Sequence, residues 1–186
     1  MASSDEDLVR AVRDGDETAF EQLIARHRER ILRFLTVMIG DAMPAEDVAQ
    51  DAMLSAYRNL DQLADPTRFG NWLLSIAVNR CRNWLRSEVQ RAHEGETALA
   101  EVSDRSRSAL SSLVRREDAA RLQLAIDRLP ILLREAFVLF QVEGMPYADI
   151  AGLCGATPNT LQVRVHRAKA LLKQQLGRIV DTWWSG

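Results

Sequence analysis

Tyr147–Lys169, YADIAGLCGATPNTLQVRVHRAK, reads as a helix, a tight turn and a second helix, and this helix-turn-helix pattern decides what kind of fold to expect. On the first helix Ile150, Ala151 and Leu153 are expected to face inward, and Gly155 supplies the turn. Thr157 followed by Pro158 is an N-cap with a proline at the first helical position, so the second helix starts at a defined point. Along it Leu161, Val165, Ala168 and Leu172 recur at helical spacing and face a core. That leaves Asn159, Thr160, Gln162, Val163, Arg164, His166, Arg167 and Lys169 as candidates to face a ligand, and not all eight can point the same way.

The charge pattern makes that ligand a polyanion. Between Asp149 and Asp181 there is no acidic residue, whereas Arg164, Arg167, Lys169, Lys173 and Arg178 all fall there. The plain alternative, an amphipathic helix with a solvated charged face, normally mixes signs, so the one-signed run favours DNA. The formal net charge of -2 for the whole chain conceals further segregation. Phe34 to Tyr57 carries Asp41, Glu46, Asp47 and Asp51 without a basic residue; Pro66 to Ser87 carries Arg68, Arg80, Arg82 and Arg86 without an acid. The first stretch suits a basic protein surface, the second nucleic acid.

With 186 residues, 47% of them hydrophobic, the chain can bury real cores, as one domain or two small ones. Cys81 and Cys154 lie far apart, each inside an apolar helical pattern, and are expected to be small core residues rather than a disulfide. His27, His93 and His166 lack ligand spacing, so neither a metal nor a cofactor is implied. The N-terminus MASSDEDL is acidic and polar, unlike a signal peptide, and Arg33 interrupts the most apolar run before bilayer length, so a cytoplasmic chain without membrane insertion is expected.

Helical periodicity dominates and no alternating strand pattern is evident, so the fold class is all-α. A first helix is expected near Asp5 to Arg13. A second, from Asp16 to Gly40, carries Phe20, Leu23, Ile24, Ile31 and Leu35 on its apolar side. A third begins around Pro44 with Val48, Ala52, Leu54 and Tyr57 apolar, and a fourth follows the Asp65-Pro66 turn from about Arg68 to Arg86. These four form a lobe over residues 1–88. Residues 89–115, within a stretch of Ser, Glu, Arg and Ala beginning at Ser87, read as a flexible linker. Residues 116–186 form a second lobe, with a helix to Leu129, another from Pro130 through Val142, a break at Gly144-Met145-Pro146, and the helix-turn-helix. Trp183 and Trp184 either pack on this lobe or meet a partner.

The fourth helix, RFGNWLLSIAVNRCRNWLR, combines Phe69, Trp72 and Trp84 with Asn79, Arg80, Arg82, Asn83 and Arg86. Aromatics interleaved with arginines and amides suit a single-stranded nucleic-acid surface, because every base offers a face to stack on and every nucleotide a phosphate. For Trp72 the spacing favours a core position, and for Trp84 core and ligand weigh evenly. Asn79, an amide inside an apolar stretch, must either satisfy a buried partner or address a ligand.

The succession AEDVAQDAMLSAYRNLDQL, FGNWLLSIAVNRCRNWLR, a variable linker and IDRLPILLREAFVLFQVEGMPYADIAGLCGATPNTLQVRVHRAK resembles the bacterial sigma factors of the extracytoplasmic-function group, across both lobes and in the right order. The resemblance implies a sigma region 2 four-helix lobe and a sigma region 4 helix-turn-helix lobe. It further implies an initiation factor that binds core RNA polymerase at the beta-prime clamp and the beta flap, directs it to promoter DNA and helps open the duplex. By position, Glu46, Asp47, Gln50, Asp51 and Ser55 would meet the clamp. Arg68, Trp72, Asn79, Arg80, Arg82, Asn83, Trp84 and Arg86 would engage the minus-ten element as it becomes single-stranded, with Asn79 contacting a flipped base. The helix-turn-helix candidates named above would read the minus-thirty-five element as duplex. Gln162 and Val163 stand where the family commonly has a basic residue and a small serine, and Asn159 where it often has glycine, so the promoter sequence cannot simply be carried over; glutamine can read adenine bidentately. An anti-sigma factor is the implied regulator, holding the chain inactive and, where that partner is membrane-bound, at the membrane. The chain ends soon after the second lobe, so no fused C-terminal regulatory domain is expected.

Two other classes compete. A dimeric helix-turn-helix regulator on a palindromic site leaves the arginine and tryptophan helix unexplained. A nucleic-acid-modifying enzyme needs catalytic residues, and no nucleophile-base pair, phosphate loop or metal cluster is present in the sequence.

Overall fold

The computed structural model describes residues 3–94 and 110–177. Among them there is no strand. The chain divides into two compact units, Met1–Trp84 and Leu85–Gly186.

In the first unit α1 (Asp5–Arg13) opens on a reciprocal cap: the Ser4 hydroxyl accepts from the Asp7 amide at 3.1 Å, and the Asp7 carboxylate accepts from the Ser4 amide at 3.1 Å. α2 (Glu17–Ile39) is capped by Asp16, and α3 (Ala42–Arg58) by Asp41. α3 therefore begins two residues before Pro44, because Asp41 accepts from the Met43 amide. A short 3₁₀ turn, Pro66–Arg68, capped by Asp65, leads into α4 (Phe69–Glu94). Leu23, Ile31, Phe34, Leu35 and Met38 of α2 are buried together with Val48, Ala52 and Ala56 of α3 and Phe69, Leu73, Leu74, Ala77 and Val78 of α4.

Two features set α4 in place. A side chain at Gly70 would bring its Cβ within 2.6 Å of the His27 ring, so glycine alone permits this close approach. Arg30 of α2 also donates to Asn71 Oδ1 at 3.3 Å. α1 is tied down in turn: Asp5 accepts from Arg26 at 3.0 Å and pairs with His27 Nε2 at 2.7 Å, and Arg13 donates to the carbonyls of Leu60 and Leu63.

The expected linker is shorter than its composition suggests. α4 continues to Glu94, since Ser87–Glu94 contains no breaker before Gly95 and Arg91 pairs with Glu88 at 2.7 Å and with the Ser87 hydroxyl at 3.0 Å. α5 (Leu110–Asp127) starts earlier than Val114. Residues 95–109 of the linker, and Trp183 and Trp184, lie outside the described residues.

In the second unit α6 (Ile131–Phe137) passes into a π-helical turn, Val138–Val142, before α7 (Tyr147–Cys154) and α8 (Pro158–Leu176). Leu139, Ile150, Leu161, Val165, Ala168 and Leu172 are buried, together with two charged residues, Arg134 and Glu135. Arg134 donates to the carbonyls of Asp127 and Leu129 and lies 3.8 Å from the Asp127 carboxylate, so one guanidinium closes the end of α5 and the turn into α6.

Candidate functional site

The turn between α7 and α8 is built as the sequence indicates. Gly155 ends α7 in the left-handed conformation, at φ 59° and ψ 39°, where a Cβ would be strained. Thr157 then accepts from the Thr160 amide at 3.2 Å, and Pro158 takes the first helical position. Of the three residues expected inward on α7, Ile150 is fully buried while Ala151 and Leu153 are half-buried, because so short a helix has room for one central contact. Cys81 is buried as expected. Cys154 is only half-buried, and its thiol donates to Glu135 at 2.7 Å, joining α7 to α6.

With Leu161, Val165, Ala168 and Leu172 inside, stepping about 100° per residue puts Asn159, Val163, His166 and Arg167 on the side of α8 opposite the core. Thr160 and Gln162 flank them, also exposed. Arg164 is half-buried at the margin. Lys169 is also half-buried: its ammonium sits over the Phe140 ring, 5.5 Å from the centroid, and Phe140 is stacked on Tyr147 at 4.5 Å and 4°. Burial pushes the Tyr147 hydroxyl pKa upward. The π-helical turn after α6 contains Phe140, so this stack belongs to a segment that ordinary helical periodicity does not describe.

On α4 the same geometry separates the sequence candidates. Phe69, Leu73, Ala77, Cys81 and Leu85 form the buried stripe, and Asn79, Arg82, Asn83 and Arg86 project from the opposite half of the helix. Asn79 is exposed and satisfies no buried partner; it accepts from Arg82 at a long 3.4 Å. Trp72 is half-buried at the rim of the polar face, with its ring 6.0 Å from that of Phe69. Trp84 is half-buried on the core side of α4, and Arg80 is exposed near the edge of the polar face. Arg68 is exposed in the 3₁₀ turn ahead of α4.

On α3 Glu46, Asp47, Gln50 and Asp51 are exposed and Ser55 is half-buried. Leu54 and Tyr57, read as apolar positions of this helix, are 47% and 43% exposed, and Phe20 and Ile24 of α2 are only half-buried. Together with Met53, Gln50 and Arg28 they line a largely apolar groove of about 650 Å³ between α2 and α3. Sequence reasoning missed this groove, although a signal was available: Leu54 stands about 200° around α3 from Ala52, too far for one buried stripe to hold both.

Among the described residues no group of three or more His, Cys, Asp or Glu could hold a metal ion, and no helix is long and apolar enough to cross a membrane.

Comparison with known proteins adds a family to this geometry. Residues 23–91 match the Sigma-70 region 2 family and residues 119–172 match Sigma-70, region 4. The RNA polymerase sigma-H factor of Pseudomonas aeruginosa is 32% identical over 184 residues, 92% of this chain and 93% of that protein. The ECF RNA polymerase sigma factor SigM of Mycobacterium tuberculosis is 35% identical over 178 residues, 94% of this chain and 85% of that one. Among solved structures, CnrH in complex with the cytosolic domain of CnrY aligns with a TM-score of 0.69 at 26% identity, over 94% of this chain and 97% of that chain. The sigma factor RpoE in complex with the anti-sigma factor NepR, from Bartonella quintana, shares the fold with a TM-score of 0.68 at 23% identity, over 84% of this chain and 96% of that one.

Proposed function

The chain belongs to the sigma-70 family, in its extracytoplasmic-function group, and from that membership we propose a division of labour over its surfaces in transcription initiation. The chain supplies address and strand separation to core RNA polymerase, which carries out the chemistry. It has no catalytic step of its own.

The observation that carries this reading is the exposed side of α4, where Asn79, Arg82, Asn83 and Arg86 stand together with Trp72 at their rim. Such a surface captures unpaired bases: an amide hydrogen-bonds a base edge, an indole offers a stacking face and guanidinium groups neutralise the intervening phosphates. Opening a base pair costs a few kcal/mol of stacking, and a surface that binds only the opened strand offsets that cost. The exposed side of α8, with Asn159, Val163, His166 and Arg167, would enter the major groove of the minus-thirty-five element, flanked by Thr160, Gln162 and Arg164. Glu46, Asp47, Gln50 and Asp51 on α3, beside the apolar groove, would dock on the polymerase clamp, apolar contact giving affinity and the acidic rim giving orientation. The second unit would meet the beta flap. An anti-sigma factor covering these surfaces would hold the chain inactive, the regulation that membership of the group implies; the similar chain CnrH is solved with the cytosolic domain of CnrY.

The test is run-off transcription with core polymerase on a genomic promoter pool, with and without this chain and with Asn79→Ala. Promoter-specific transcripts that require the chain and weaken in the variant are expected, with the loss largest on duplex templates and smallest on templates already unpaired at the minus-ten element. Tight binding of the free chain to a palindromic duplex, without transcripts, would overturn the proposal in favour of a dimeric regulator.

A further inference from the structure

Val163 is out of character with its surroundings. It is 44% exposed, the one exposed large apolar side chain among the described residues of α8, and it lies about 200° around the helix from Leu161, directly away from the core. One turn earlier stands Asn159; one turn later stand His166 and Arg167, all exposed. A β-branched residue at a solvated helix position lowers helix propensity and leaves apolar surface in water, so folding gains nothing from it there. Its usefulness must come from what the face meets.

Resting on the reading that α8 enters promoter DNA, we propose that Val163 reads the C5-methyl group of a thymine in the minus-thirty-five element. Valine has no donor or acceptor, so it can contact neither a phosphate nor a polar base edge productively. The major groove offers one apolar feature that distinguishes bases, the thymine methyl. Valine suits it because its χ1 is nearly fixed in a helix, and its two methyl groups are therefore held in place before binding. Val163 lies in the second turn after the Thr157 cap, within the N-terminal part of the helix, which is the part that approaches base edges in helix-turn-helix proteins. Polar neighbours on either side would read adjacent pairs and place the duplex, while Val163 excludes cytosine at one position by leaving its apolar surface uncovered.

The experiment uses the full chain with core polymerase on a promoter library randomised through the minus-thirty-five element. The wild type is expected to enrich thymine at one position, and Val163→Ser to flatten that preference while preferences elsewhere persist. At that position deoxyuridine is then substituted for thymidine, which removes the methyl and nothing else. Initiation at limiting polymerase is expected to fall about fourfold with the wild type, the worth of one buried methyl group, to stay unchanged with Val163→Ser, and to fall again with Val163→Ile. A thymine preference that survives Val163→Ser, an equal deoxyuridine effect in both proteins, or transcripts without any thymine preference would overturn the assignment alone. Absence of promoter-specific transcripts from the wild type would instead remove the initiation-factor reading and this proposal together.

Discussion

In the first unit α1, α2, α3 and the 3₁₀ turn before α4 each start on a side chain, Ser4, Asp16, Asp41 or Asp65, that accepts from an amide two or three residues on. In the second unit α6 and α7 start on Pro130 and Pro146, which offer no such oxygen, and among the helix starts described there only α8 has a hydroxyl cap. The first unit therefore fixes its helix starts by local chemistry, and Arg13 and Asp5 add a few longer ties to it. The second fixes its helix ends through residues brought from elsewhere: Arg134 across the end of α5, Cys154 against Glu135, and Phe140 against Tyr147. Local caps hold an element whether or not its neighbours are formed, whereas these distant ties exist only once the second unit is packed.

The sharpest way to break this contrast is Arg134→Met. Methionine keeps most of the volume but leaves the carbonyls of Asp127 and Leu129 without that donor and the partly buried Asp127 carboxylate without its cation. A loss on the order of 3 kcal/mol is expected in the second unit. Amide hydrogen exchange followed by mass spectrometry would show it as faster exchange throughout α6 to α8. A change confined to the α5–α6 turn would mean that Arg134 is a local cap like those of the first unit.

Thr157→Ala probes α8, which has the side-chain cap described in the second unit. It removes the acceptor for the Thr160 amide and is expected to cost about 1 kcal/mol, with faster exchange limited to the first turn of α8. Thr157→Asp should restore protection, since aspartate caps as well and also favours the positive end of the helix dipole.

Acid separates the units by sign. Hydrogen bonds from Ser4, Thr18 and Thr67 hold the carboxyls of Asp7, Asp16 and Asp65 below the ordinary range. Their folded pKa values lie below the unfolded ones, so they contribute stability that is present above the unfolded pKa and lost as pH falls through the folded one. Burial pushes Asp127 the other way, against the pull of Gln123 and Arg134, so its contribution is present below the unfolded pKa and lost as pH rises through the folded one. Below about pH 4 exchange should quicken at the starts of α1, α2 and the 3₁₀ turn, while the end of α5 moves the opposite way. Asp16→Asn, which caps without titrating, should remove the acid response at α2 alone; an unchanged response would trace the acid loss to other groups.

The same contrast explains what the sequence made legible. Boundaries written in local chemistry, such as Asp16, Gly155 and the Thr157-Pro158 pair, could be read directly, as could the four-residue stripe of α8. The groove was only partly legible: the angle between Leu54 and Ala52 put Leu54 off the buried stripe, but periodicity marks Phe20, Ile24 and Tyr57 as apolar without saying whether their own fold covers them. The burial of Arg134 and Glu135 carries no sequence signal, because nothing nearby in the chain announces it. Ser87–Glu94 reads as linker by composition, yet it has no breaker before Gly95. On α8 the eight candidates could be gathered but not sorted, since Lys169 belongs to the DNA side by charge and to the core margin by its stack on Phe140, a residue whose direction depends on the π-helical turn.

Lys169 gives the smallest expected effect. If its ammonium remains over Phe140 when promoter DNA is bound, it neutralises no phosphate and releases no counterion. Lys169→Met should then leave the slope of log affinity against log salt unchanged for polymerase bearing this chain, while destabilising the α6–α8 packing by about 0.5–1 kcal/mol. Arg167→Gln, by contrast, lies on the outward side and should lower the magnitude of that slope by about one. Phe140→Leu separates the two roles further, because it keeps the apolar volume but removes the ring face that holds the ammonium. In that background Lys169 is released to reach a phosphate, and the slope should steepen. A drop for Lys169→Met equal to that for Arg167→Gln would show that DNA outcompetes the ring, and would return Lys169 to the phosphate contacts where its charge alone had placed it.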